Sequence, residues 1–260
     1  MVMPKERLAH TVDLLSAGQG CPTSWLSSLN QQDDLSQELR PLLIDKMDDS
    51  LTLQHCVGHI DLYQLLIGRH ACGKGAYFCP ETNTQYLYGE WASFIASLAE
   101  HWQLLGVESG QTLLVVEEDP LKALLAVLTG FKLGLHVVIV ASYGDIYIKN
   151  RAQEIAFDCH VCSSTGLAVF NSQLLPCFFK VRPVESSESH RYGPAEPCLS
   201  CFLPQGGLYT VTASQFILQR LRDAICVFNL HLSFESVLCV QPVEQFIWLA
   251  VTQFFYLRLK

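Results

Sequence analysis

Between Gly89 and Ser163 the chain alternates between two textures. Thr112 to Val116 and His136 to Val140 are short, almost continuously apolar runs, and Asp158 to Ser163 is a third short strand-like run. The stretches beside and between them, Gly89 to Leu105, Leu121 to Leu133 and Asp145 to Ala156, have helical length and composition. A strand that is apolar on both sides must be covered on both sides, and helices between successive strands supply that cover. The pattern predicts the α/β class, with a largely parallel sheet and βαβ crossovers. In the first helix Trp91, Phe94, Ile95, Leu98, Trp102 and Leu105 form one stripe, and Gly106 and Gly134 stand where helices stop. Upstream, a short helix at Ile60 to Ile67 precedes two short strands, Ala76 to Cys79 and Gln85 to Tyr88, joined by a polar turn. Downstream, Phe178 to Val184, Cys198 to Leu203, Leu208 to Thr212 and Ser236 to Val240 read as strands. Ala213 to Phe228 and Val243 to Leu257 read as helices.

Composition narrows the class further. Of 260 residues, 50% are hydrophobic and only 16% charged, against about 25% charged in an average globular chain. That balance excludes an intrinsically disordered chain. A formal charge of −8 excludes a general nucleic-acid binder, which needs clustered cations. The most apolar stretch, Val237 to Tyr256, is interrupted by Gln241, Pro242, Glu244, Gln245 and Gln253, so no membrane span is expected. The start, MVMPKERLAH, reaches Asp13 before any long apolar core and does not read as a secretory signal. Of the 11 cysteines, several lie inside apolar runs, which suits buried thiols in a cytoplasmic protein. Residues 1–54 form a helical, acidic lead-in broken by Gly18, Gly20 and Pro22. Residues 55–260 carry the α/β pattern.

Few motifs carry chemistry. Gly68 to Gly75 matches G-x-x-x-x-G-K, but Gly75 replaces the hydroxyl that a nucleotide loop needs, a helix precedes it and a hairpin follows. Cys159/Cys162 and Cys198/Cys201 are two C-x-x-C pairs that together would make a four-thiolate zinc site. Against this, residues three apart on a strand point to opposite faces. Ser163-Ser164-Thr165-Gly166 follows a strand and reads as an ordinary loop or a phosphate nest. Glu117-Glu118-Asp119 lies at the C-terminal end of a strand, where open α/β sheets bind ligands, and also just before Pro120, where acids cap helices. His136, alone on an apolar strand, reads as a satisfied core or edge residue.

The order of elements resembles the N-terminal half of the adenylate-forming superfamily: acyl- and aryl-CoA synthetases, fatty acyl-AMP ligases and non-ribosomal-peptide adenylation domains. The resemblance is carried by Tyr88-Gly89-Glu90-Trp91, by Leu104-Leu105-Gly106-Val107-Glu108-Ser109-Gly110-Gln111 and by Asp119-Pro120 opening a helix that ends in Lys132-Leu133-Gly134. It runs from about His59 to the end of the sequence, with Trp91 where the family has leucine and Gln111 where it has aspartate. In that family a Ser/Thr/Gly-rich loop ending in Pro-Lys-Gly cradles the ATP phosphates. At the corresponding position this chain has Leu199-Ser200-Cys201-Phe202-Leu203-Pro204-Gln205-Gly206-Gly207-Leu208. The lysine is gone, and Ser200, Gly206 and Gly207 are the only residues left to nominate for nucleotide contact. The family's later landmarks would lie beyond Lys260.

The resemblance implies ATP and Mg as cofactors, and a carboxylic-acid substrate with CoA or a carrier protein as partners. Three functions stay open. The chain is a shortened homologue that does not adenylate alone and serves as a binding subunit or as half of a split synthetase. Alternatively it is an active ligase forming an acyl-adenylate, or a zinc scaffold built on the two cysteine pairs. The helix at 243–257, apolar on nearly every side, is expected to pack against a protein partner.

Overall fold

The computed structural model describes residues 59–67, 76–79, 84–141, 143–163, 170, 172–180, 188–202 and 207–216. The expected lead-in at 1–54, the G-x-x-x-x-G-K match and the expected elements from 217 onward lie outside these residues. Helix α1 (Leu62–Leu66) is followed by the antiparallel hairpin β1 (Ala76–Cys79) and β2 (Thr84–Leu87). The chain then runs through α2 (Tyr88–Leu104), β3 (Thr112–Val116), α3 (Pro120–Leu133), β4 (His136–Ile139), α4 (Asp145–Gln153) and β5 (Cys159–Cys162). Edge strand β6 (Gln173–Leu174) and strands β7 (Pro197–Phe202) and β8 (Leu208–Thr212) complete the six-stranded sheet, and residues 213–216 begin a further helix. The order across that sheet is β6-β5-β3-β4-β7-β8; every pairing is parallel except β7 with β8.

Local chemistry explains the boundaries. The Glu90 carboxylate accepts the Leu87 N–H at 2.7 Å, satisfying a donor that α2 would otherwise leave open. Asp119 is the N-cap of α3, its Oδ1 accepting the N–H groups of Leu121 and Lys122. Pro120 follows as the first helical residue, and Gly134 ends the helix in the left-handed conformation. The expected stripe on α2 holds through Trp102. Leu105 falls off it, 39% exposed, because the helix has already ended.

The two faces of the sheet carry separate cores. Leu113, Val115, Val137, Ile139, Cys159 and Val161 point to the larger, with α1, α2 and α3. Leu114, Val116, Val138 and Val140 point to the smaller, covered by Ile148 and Ala152 of α4. Strand alternation fixes this division. The crossover from β3 steps one strand right and that from β4 steps back past β3, so right-handed connections place α3 and α4 on opposite faces. The α3–sheet approach is close at Gly130, where a Cβ would lie 2.7 Å from Val137 Cγ2.

One expected strand is corrected. Residues 178–180 make no ladder; the edge of the sheet is β6 instead. The aromatic residues there serve packing: Phe179 stacks on Tyr86 at 4.5 Å and meets Trp91 and Phe94 edge-on. Trp102 Nε1 donates to the Pro176 carbonyl at 2.8 Å and holds this segment against α2.

Candidate functional site

The nucleotide-loop candidates sit on the β7–β8 hairpin, at the C-terminal edge of the sheet. Ser200 is not in a loop. It lies inside β7, paired with Val138 of β4 and Thr210 of β8, and is fully buried. Its Oγ shares hydrogen bonds of 2.7 Å with His136 Nε2 on one side and 2.7 Å with Thr210 Oγ1 on the other. The hydroxyl is committed to a three-strand polar bridge, so Ser200 is buried away from the phosphate contact expected of it. His136 is half-buried and hydrogen-bonded, in line with the satisfied core or edge residue the sequence suggested, and burial pushes its pKa below the ordinary histidine value.

Gly207, with φ +85°, turns the chain into β8, and Gly206 lies outside the described residues. Phe202 immediately precedes the turn, beneath the Arg151 guanidinium at 5.1 Å. A phosphate cradle needs successive backbone N–H groups converging on the anion and a cation to meet it. The connection Leu203-Pro204-Gln205-Gly206-Gly207 has no lysine, no hydroxyl, and a proline without an N–H.

The cysteine pairs are separated by the fold. Cys159 packs in the larger core, while Cys162 packs against the smaller one, as strand alternation requires. Cys198 and Cys201 lie on β7, with β3 and β4 between them and β5. Three strand steps put the pairs about 14 Å apart, far beyond a shared ion with bonds of about 2.3 Å. Burial also pushes the Cys159 thiol up to about 12 and raises that of Cys198, where a metal would need thiolates. The four-thiolate site is therefore corrected to four separately placed thiols. Among the described residues no group of three or more His, Cys, Asp or Glu could hold a metal ion.

Glu117, Glu118 and Asp119 divide. Asp119 is the helix cap, and Glu118 is exposed, with its N–H donating to Ser163 Oγ at 3.2 Å. Glu117 is different. It is 4% exposed, and among the described residues its Oε1 accepts the Asp119 N–H, at 3.2 Å, and no other donor. It lines a cleft of about 400 Å³ with Lys122, Cys162, Ser163, Leu174, Leu175 and Cys177. The Cys177 thiol, which donates to the Lys122 carbonyl, is pushed up to about 12, mainly by burial and then by the Glu117 charge. Sequence reading missed Lys122 and Cys177, because they meet only when β6 brings the following segment against α3.

The motifs behind the family resemblance have structural roles. Trp91 is fully buried among Tyr86 and Phe179. Gln111 supplies the side-chain acceptor for the Glu108 N–H at 3.0 Å, an acceptor role that an aspartate could also fill.

No protein-family model matches the chain, and no curated protein matches it by sequence. Solved structures match its fold. The o-succinylbenzoate CoA synthetase MenE from Bacillus subtilis, in complex with the acyl-adenylate intermediate OSB-AMP, aligns with TM-score 0.60 and 14% identity. The alignment covers 74% of this chain and 53% of that one. Apo MatB from Rhodopseudomonas palustris aligns with TM-score 0.62 and 11% identity, over 75% of this chain and 43% of that one. The N-terminal subdomain of Klebsiella oxytoca NpsA aligns with TM-score 0.51 and 16% identity, over 63% and 44%. The chain spans about half the length of MenE. Its fold is that of the N-terminal subdomain of adenylate-forming enzymes, the α/β class and mostly parallel sheet expected from the sequence. Among the described residues no helix is long and apolar enough to cross a membrane.

Proposed function

We propose that this chain is a carboxylate-adenylating-enzyme homologue that keeps the N-terminal α/β scaffold but does not grip nucleotide phosphates, and that it works as a binding or partner subunit in the cytoplasm. The observation that carries this reading is the β7–β8 hairpin. Its one serine is sealed between His136 and Thr210, and the connection offers neither lysine nor hydroxyl. Backbone donors and a cation do most of the work of holding a transferring phosphoryl group, so their loss removes adenylation before it removes substrate recognition. In this reading the ligands belong to the classes the fold family handles, carboxylic acids with CoA or a carrier protein. A protein partner covers the apolar 243–257 segment.

Structural neighbours include MenE in complex with ATP and magnesium ion, which supports the alternative of an active ligase binding both. ATP–pyrophosphate exchange over a panel of carboxylic acids separates the two readings. The expected result is exchange at the no-acid background with every acid. Acid-dependent exchange that survives Ser200→Ala would establish the ligase reading and remove the proposed one.

A further inference from the structure

We infer that the cleft between the C-terminal ends of β3 and β5 is a binding site for a compact zwitterion, an ammonium and a carboxylate a few atoms apart on a short aliphatic body. The inference does not rest on the function proposed above. The cleft lies two strands away from the β7–β8 hairpin and shares none of its residues.

Its position is the first support. In the order β6-β5-β3-β4-β7-β8 the chain steps from β3 to β4 and then reverses to β5, with α3 on one face and α4 on the other. The chain leaves β3 toward β4, away from β5, and this divergence opens a crevice beyond the carboxyl ends of β3 and β5. Open α/β sheets bind ligands in that crevice. Here it is bounded by Glu117 after β3, by Cys162 and Ser163 at the end of β5, and by Lys122 in the first turn of α3. A volume of about 400 Å³ falls within the range of small-molecule sites.

The charges are the second. Glu117 is 4% exposed, yet its carboxylate accepts one backbone N–H and, among the described residues, meets no cation. A buried carboxyl group with one donor leaves acceptor capacity that a ligand can complete. Lys122 sits in the first turn of α3, where the helix dipole disfavours a cation, and among the described residues it forms no ion pair. The two opposite charges line one cleft without closing on each other. A ligand carrying only an ammonium would meet Lys122, and one carrying only a carboxylate would meet Glu117. A molecule with both satisfies both walls.

The remaining lining agrees. Ser163 Oγ already accepts the Glu118 N–H, so its proton is available to a ligand carboxylate. Leu174, Leu175 and Pro176 form the apolar side, which suits a short aliphatic chain.

Alkylation of Cys162, followed residue by residue in the intact protein by mass spectrometry, reads occupancy because this residue borders the cleft. L-leucine is the zwitterionic probe; isoamylamine and isocaproate each carry one of its charges. At leucine ten times its Kd, modification of Cys162 slows roughly tenfold, while each half-molecule at the same concentration leaves the rate within twofold. Glu117→Gln and Lys122→Met, each checked for an unchanged unfolding midpoint without ligand, abolish the protection. Protection by either half-molecule equal to that by leucine overturns the inference. So does leucine protection that persists in both variants, or an unchanged Cys162 rate at saturating leucine.

Discussion

Replacing Gly134 by alanine tests how the entry to the parallel sheet is built. Gly134 ends α3 with φ 78° and ψ 35°, a conformation that costs a residue with a Cβ about 1–2 kcal/mol. The added carbon would also lie 2.4 Å from His190 Cγ and 2.6 Å from Ser109 Oγ, distances at which one of them must move. Moving His190 breaks the 3.1 Å hydrogen bond between its Nδ1 and Ser109 Oγ, and the 3.1 Å contact of its Nε2 with Glu196 Oε1. A typical net hydrogen bond contributes about 0.5–1.5 kcal/mol, and the half-exposed carboxylate contact belongs at the low end. The sum is a loss of about 2–4 kcal/mol. Gly106→Ala is the internal control. Its φ is 90°, but nothing lies within 4 Å of the new Cβ, so only the backbone cost of about 1–2 kcal/mol applies. Urea unfolding should place the midpoint of Gly134→Ala below that of Gly106→Ala. Adding His190→Ala to Gly134→Ala should cost less than His190→Ala alone, since the clash is already relieved. Equal midpoints for the two glycine variants, or strict additivity with His190→Ala, would refute the close-approach reasoning.

Ser200→Ala leaves His136 Nε2 and Thr210 Oγ1 without their shared partner and should lower stability by about 1–3 kcal/mol in denaturant titration. His136 and His160 are held below the ordinary histidine pKa by burial, so their neutral forms stabilise the fold. That contribution is complete above about pH 6.5 and is lost as pH falls toward their folded-state values. The stability gap between wild type and His136→Gln/His160→Gln should therefore shrink on acidification from pH 7.5, and a pH-independent gap would contradict it. Metal analysis of purified protein should find no stoichiometric zinc, and EDTA should leave the unfolding midpoint unchanged, because the two cysteine pairs lie on strands separated by β3 and β4.

The centre of the sheet was legible because β3 and β4 are almost continuously apolar. Thr112–Val116 and Leu208–Thr212 appear with the ends read from sequence, and α3 ends at the expected Gly134. Phe178–Val184 misled because alternating apolar residues look alike whether they enter a ladder or, like Phe179, stack between Tyr86 and Trp91. The candidate site was less legible. Nothing near Ser200 in the sequence announces His136, 64 residues away, or shows that the serine is sealed inside the sheet. The acids at 117–119 read as caps, which holds for Asp119. The buried position of Glu117 depends on strand order, and sequence alone does not reveal that β5 returns to lie beside β3.

Calorimetric titration of MgATP into the protein reads whether the β7–β8 hairpin can hold a polyphosphate. The expected result is no saturable heat at millimolar nucleotide and no change in amide exchange at Gly207 and Leu208. Saturable binding accompanied by protection at those two residues would show that the hairpin does hold the phosphates, and would contradict it.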